Sequence, residues 1–188
     1  MIYTITLNPA LDYIIKLKEL VPNEINTSES EYILPGGKGI NVSIILKRLD
    51  VESVTLGFIS GFTGKEIQKL VEKEKIQTDF INLEEGHSRI NVKILENEKE
   101  TAINSKGPLV DNKSIENLYQ KLNNLKENDI LVLSGSIPKG IKEDIYEEIC
   151  EKIKDKNVKI VVDSTKKLLL NTLKYRPFLI KPNHHELG

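Results

Sequence analysis

Ile130-Leu131-Val132-Leu133-Ser134-Gly135-Ser136-Ile137-Pro138 opens with four consecutive aliphatic residues and breaks at once into a small polar loop. A strand with one wet face would alternate, and a buried helix would need a run two or three times longer. Such a short, continuous apolar run suits a parallel strand covered on both faces. The same style recurs in Val54-Thr55-Leu56-Gly57-Phe58-Ile59, Ile160-Val161-Val162 and Phe178-Leu179-Ile180. Between these runs, residues 41–49, 64–75, 114–125, 144–154 and 166–173 place apolar side chains three and four apart, the period of a helix with one buried face. Strand and helix in alternation predict an α/β fold: a three-layer, mostly parallel sheet.

A second style interrupts this pattern. In Arg89-Ile90-Asn91-Val92-Lys93-Ile94 the apolar residues fall on one face and the polar ones on the other. Residues 96–100 form a polar turn, and Thr101-Ala102-Ile103-Asn104 reads as the returning strand of a hairpin. Residues 13–18 and 25–34 also read as strands. The expectation is a small β lid over a cleft, inserted at approximately 13–34 and 88–105. Phe178-Leu179-Ile180 reads as an interior strand that should be followed by a covering helix, and only Lys181 to Gly188 remain. The chain is therefore expected to be the N-terminal part of a longer domain.

Composition narrows the partners. Hydrophobic residues make up 39% of the 188 and charged residues 29%, enough for both a core and a soluble surface. A net charge of −1 gives no broad positive field for nucleic acid, so a bound phosphate should be small and held locally. No apolar run has the length of a membrane span, and the lone Cys150 has no internal disulfide partner, which together read as a cytoplasmic protein. Cys150 lies in a helical stretch and reads as a packing residue.

Chemistry gathers at loops. Pro35 closes a strand, Gly36-Gly37-Lys38-Gly39-Ile40-Asn41 follows, and a helix begins by about Asn41, which aims backbone N–H groups at whatever sits there. A nucleotide P-loop needs Ser or Thr directly after Gly-Lys, where Gly39 stands, and the dinucleotide fingerprint Gly-x-Gly-x-x-Gly is missing. From these six residues alone, a glycine-rich turn with a solvated lysine is the commoner explanation. Context adds weight. Leu7-Asn8-Pro9-Ala10-Leu11-Asp12 ends a strand and offers a carboxylate in the turn that follows, able to accept bonds from sugar hydroxyls. Ser134-Gly135-Ser136-Ile137-Pro138, Asp163-Ser164-Thr165 and Lys181-Pro182-Asn183 also leave strands at their carboxyl ends, the edge where open α/β sheets bind ligands.

Taken in order, these segments, with Arg89-Ile90-Asn91-Val92-Lys93 and Lys181-Pro182-Asn183-His184-His185-Glu186, resemble the ribokinase-like (pfkB-type) carbohydrate kinase family along the whole chain. The likeness is to its branch of bacterial 1-phosphofructokinases and tagatose-6-phosphate kinases, with Arg89-Ile90-Asn91-Val92-Lys93 tilting toward fructose 1-phosphate. The resemblance implies that Asp12, Gly37 and Asn41 hold sugar hydroxyls. It implies that Lys38 and Arg89 take the phosphate already on the sugar, the guanidinium fork gripping two oxygens. Ser136 and Asn104 are further substrate contacts on this reading, or plain turn and strand residues. Asn183 and Glu186 match an Asn-x-x-Glu element that helps place magnesium and nucleotide phosphates, Glu186 through ordered water. Asp163 either adds charge to that cation environment or is a structural strand-end aspartate. His184 and His185 are adjacent, lack the spacing of a zinc site and read as surface residues.

The family's catalytic aspartate sits in a Gly-Ala-Gly-Asp motif that these 188 residues do not contain, so no catalytic residue is assigned within them and that aspartate is expected beyond Gly188. The implied parent is an ATP- and magnesium-dependent enzyme converting fructose 1-phosphate to fructose 1,6-bisphosphate, with tagatose-6-phosphate kinase as the alternative. The chain alone would then be a sugar-phosphate-binding fragment without catalysis. A dinucleotide oxidoreductase loses on the absent fingerprint. The intact protein is expected to be a homodimer paired through the lid.

Overall fold

The computed structural model describes residues 1–164 and 166–182. The main sheet is built from β1 (Ile2–Thr6), β4 (Ser53–Ser60), β5 (Gln77–Thr78), β6 (Ile81–Leu83), β9 (Ile130–Ser134), β10 (Lys159–Asp163) and β11 (Leu179–Ile180). Its order is β11-β10-β9-β1-β4-β5, with β6 also paired to β4, and every pairing is parallel. The short β5 and β6 extend the sheet beyond β4 and escape the sequence pattern, since two or three residues carry no period.

Helices cover both faces, giving the three layers expected. On one side α3 (Asn112–Leu122), α4 (Ile145–Ile153) and α5 (Lys166–Thr172) pack Leu118, Leu122, Tyr146, Ile149 and Leu169 onto Ile5, Phe58, Leu131 and Val162 of the strands. On the other, α1 (Lys38–Arg48) and α2 (Gly61–Lys73) form a smaller core in which Ile40, Ile67 and Val71 meet Ile59 and Leu11. Strand alternation explains the division: Leu56 and Phe58 of β4 join the first core and Ile59 the second. Cys150 is buried in the first core, and burial pushes its thiol up to about 12, which leaves it an inert packing residue.

The face of β1 beneath α1 is polar. Thr4 Oγ1 lies 2.8 Å from Ser43 Oγ, and the Ile40 backbone N–H donates to Thr6 Oγ1 at 3.0 Å. Gly39 lets the helix come this close, because a Cβ there would stand 2.6 Å from Thr6 Oγ1 and 2.8 Å from the Ile5 carbonyl oxygen. The first turn of α1 is thereby held at the carboxyl end of β1.

A second, four-stranded sheet, called the lid here for the role expected of it, has the order β3-β2-β7-β8 and is made of β2 (Ala10–Lys16), β3 (Ser30–Gly36), β7 (Arg89–Glu96) and β8 (Lys99–Asn104). β2 and β7 run parallel, while β3 and β8 flank them antiparallel. Asn97 and Glu98, at φ 43° and 66°, make the tight β7–β8 turn whose twist suits a two-residue hairpin.

Three expectations need correction. Strand β2 begins at Ala10, so Asp12 stands inside a strand and not in a turn. Strand β3 begins at Ser30, not Ile25, because Asn26 ties down the preceding loop, its Oδ1 accepting from the Val21 N–H and its Nδ2 donating to the Val21 carbonyl. Helix α1 begins at Lys38, three residues before Asn41, so the glycine-rich run is the helix start itself.

Candidate active site

Strand β1 lies between β4 and β9, and the chain reaches those two neighbours by helices on opposite faces, which makes its carboxyl end the topological switch point of the sheet. A cleft of ≈ 240 Å³ opens there, lined by Thr6, Asn8, Gly37, Lys38, Arg89, Gly135, Ser136 and Ser164. Separate chain segments converge: the ends of β1, β9 and β10, the start of α1, and the root of lid strand β7. Gly37 adopts φ 131°, and a Cβ on it would strike Thr6 Cγ2 at 2.4 Å, so only glycine fits where α1 enters the cleft.

Two cations face this space. Lys38 opens α1, and its Nζ contacts Asp163 Oδ1 at 3.0 Å. Arg89 opens β7 and donates from Nε to the Asn8 carbonyl oxygen at 3.0 Å, fixing the guanidinium at the lid root. Burial lowers the Arg89 pKa from its ordinary value, and the charge of Asp12 opposes that shift. Asp163, at the end of β10, is buried, and its second oxygen meets Lys181 Nζ at 3.4 Å. Its carboxylate is thus shared between two ammonium groups.

The lid carries the other polar group. Asp12 on β2 pairs in register with Asn91 on β7, and Asn91 with Asn104 on β8, so the three share one face of the sheet. Asn91 Nδ2 donates to Asp12 Oδ1 at 2.9 Å, and Lys93 Nζ stands 3.1 Å from Asp12 Oδ2. Gly36 brings its backbone against this carboxylate, since a Cβ there would lie 2.5 Å from Oδ1. Asn41 is exposed one turn beyond Lys38 on α1, and Asn104 is exposed at the end of β8.

The structure therefore brings Gly37, Lys38, Arg89 and Ser136 to one cleft, and sets Asp12 on the lid strand beside Arg89. Asn183 and Glu186 lie outside the described residues, as do His184 and His185. Gly188, beyond which the catalytic aspartate is expected, lies outside them too. Sequence reasoning missed Asn8 and Ser164, both almost fully buried at the cleft, whose Oδ1 and Oγ find no hydrogen-bond partner among the described residues. Buried polar atoms without partners mark a place where a ligand can supply them. The signal was present in the Asn8-Pro9 and Asp163-Ser164 dipeptides, where the neighbouring residue drew the functional reading.

Among the described residues no group of three or more His, Cys, Asp or Glu side chains could hold a metal ion. Asp163 is committed to Lys38 and Lys181, so the described residues do not by themselves form a magnesium site. A larger groove of ≈ 490 Å³ adjoins the cleft at Ser136, lined by Ile137, Pro138, Ile141 and Leu168 together with Lys139, Glu143 and Lys167, the last two paired with each other at 3.3 Å. No helix among the described residues is long and apolar enough to cross a membrane.

The model of the pfkB family carbohydrate kinases matches residues 5–188. The chain belongs to that family. As a pfkB family chain it is 44% identical over its whole length to a 1-phosphofructokinase of Bacillus subtilis (strain 168), and 40% identical to a D-tagatose-1-phosphate kinase of Bacillus licheniformis, covering 61% of each. The structure of phosphofructokinase-2 from Escherichia coli in complex with fructose-6-phosphate has the same fold, with a TM-score of 0.92 at 24% identity over 99% of this chain and 62% of that one. The pfkB chain described here thus spans about three fifths of the length of its relatives.

Proposed function

We propose that this chain forms the acceptor-sugar part of a kinase for ketohexose 1-phosphates, with fructose 1-phosphate as the first substrate. In the longer protein, a phosphoryl group from ATP would pass to the free primary hydroxyl and give fructose 1,6-bisphosphate. The observation that carries this reading is the meeting of Lys38 and Arg89, from separate elements, in one small cleft beside Asn8 Oδ1 and Ser164 Oγ, which have no hydrogen-bond partner among the described residues. Two cations suit the phosphate already on the sugar, and the polar atoms suit hydroxyls. At ≈ 240 Å³ the cleft is below the roughly 300–1,000 Å³ typical of larger ligands, in keeping with a small polar metabolite.

Asp12, Gly37, Asn41, Asn104 and Ser136 complete the sugar site on this reading. Asn183 and Glu186 would serve the magnesium and nucleotide side. No Gly-Ala-Gly-Asp segment occurs in the 188 residues, so the chain by itself binds without turning over. The tagatose alternative is better framed on the 1-phosphate than on the 6-phosphate, because the relative that supports it is named for D-tagatose 1-phosphate. Tagatose differs from fructose only in configuration at C4, so the residues named here serve either sugar.

Pairing through the lid is part of the same proposal. Tyr32, Ile33 and Leu34 of β3 are each close to half exposed, more apolar surface than a free edge strand usually leaves uncovered. The intact protein is read as a cytoplasmic homodimer.

Titration calorimetry of the chain with fructose 1-phosphate, tagatose 1-phosphate and fructose tests the binding claim. The 1-phosphates should bind and fructose bind far more weakly; no heat from either phosphate would sink the reading. Sugar-dependent ADP formation by the longer protein tests the catalytic claim.

A further inference from the structure

Lys93 stands where neither the phosphate reading nor the fold requires a cation. It lies on β7 four residues beyond Arg89, and strand alternation puts Arg89, Asn91 and Lys93 on one face of the lid, the face that carries Asp12. Its ammonium reaches the Asp12 carboxylate at 3.1 Å, while Asn91 holds the other oxygen at 2.9 Å. The pair is well enclosed, the Asp12 side chain being 14% exposed and Lys93 31%. Asn91 is 6% exposed, and its Oδ1 has no partner among the described residues. A buried amide that spends one group on Asp12 and leaves the other unpaired is arranged for a ligand as well as for the sheet.

The charge pattern gives Lys93 its purpose. A carboxylate suits sugar hydroxyls, but one negative charge beside the binding place of a phosphate dianion repels the substrate. Lys38 and Arg89 face the cleft, and Asp163 draws on Lys38 and Lys181. Lys93 supplies the countercharge for Asp12. With it, both carboxylates named here, Asp12 and Asp163, have a lysine countercharge.

We infer that Lys93 is a positioning residue that neutralises and orients Asp12, with Asn91 fixing the second oxygen, so that this site discriminates a phosphorylated ketohexose from the free sugar. The inference rests on the sugar-phosphate reading above and concerns a residue that reading does not use. Lys93 acts through Asp12, not on the phosphate, and that separates it from Lys38 and Arg89.

Calorimetry of the chain with fructose 1-phosphate and with fructose, the latter at high concentration, gives an affinity ratio for each variant. Lys93→Met should lower the ratio about tenfold, the scale of one charge-assisted contact. Lys93→Arg should restore most of it, which a role in folding alone would not predict as a ratio. In an Asp12→Asn background Lys93→Met should change the ratio little, since the charge it balances is gone. An unchanged ratio in Lys93→Met overturns the inference, as does an equal loss in both backgrounds, which would mean direct contact with the phosphate. Should Lys93→Met not fold, amine labelling of the wild-type chain decides: fructose 1-phosphate should alter the labelling of Lys93, and no change overturns the inference. Failure of the wild-type chain to bind fructose 1-phosphate would instead count against the function proposed above.

Discussion

Single residues in this chain are held by partners far away in sequence, and Asp129 shows what that implies. Its side chain is 8% exposed, with Oδ1 accepting from the Met1 ammonium at 2.7 Å and Oδ2 from the Lys126 N–H at 2.8 Å. Burial alone would raise its pKa, but these hydrogen bonds and the positive terminus win and hold it below the ordinary carboxylate value. A depressed pKa contributes stability that is fully present above the unfolded value near 4 and is lost as pH falls through the folded value. Asp129→Asn should therefore cost about 1.5–3 kcal/mol at neutral pH in urea unfolding, with the gap from wild type closing as the pH falls below about 4. A gap that stays constant across that range would show that the charge is not what Asp129 contributes. The same long reach explains why Asn8 and Ser164 were hidden in the sequence: a polar atom is unpartnered only relative to the fold around it. Lys93 was equally hidden, since its pairing with Asp12 needs the β2–β7 register, which no local pattern reveals.

At the scale of elements, the boundary between helix and loop decides the chemistry. Helix α1 starts at Lys38 because Gly37 can take φ 131° and Gly39 can lie against β1, and the two glycines set both the direction and the height of its first turn. Gly39→Ala would drive a methyl group into the Thr6 hydroxyl and the Ile5 carbonyl, atoms of the sheet that cannot retreat. The expected outcome is a loss of about 1–3 kcal/mol in denaturant unfolding, together with weaker sugar-phosphate binding as Lys38 is displaced. Unaltered stability would mean that α1 is free to lift. The periodic parts of these elements were legible: the continuous apolar runs became β4, β9 and β10, and the alternating run became β7. Their ends were not. Asn8-Pro9 looked like the close of a strand followed by a turn, yet the chain re-enters a different sheet at Ala10, and proline marks only the crossing. Hydrophobic period describes what a segment buries, whereas its limits depend on neighbours such as Thr6 and Asn26 that period does not encode.

For the molecule as a whole, the lid is the part least satisfied by its own chain. Strand β8 is exposed throughout, and β3 leaves Tyr32 at 45%, Ile33 at 46% and Leu34 at 47% exposure. Sedimentation of the longer protein should give a dimer, and replacing Tyr32, Ile33 and Leu34 together by serine should give a folded monomer. A dimer indifferent to that change would place the interface elsewhere.

The position of β1 has a further effect. Its first residue pairs with Ser53 on one side and Ile130 on the other, so the earliest strand of this chain lies in the interior of the sheet described here. During synthesis β4 can cover one edge early, while the other edge waits for β9. At about 5–20 residues per second that wait is roughly 4–15 s. For that interval the nascent chain shows a strand with one open edge to its surroundings, a natural point of engagement for chaperones and of association between neighbouring chains on one message.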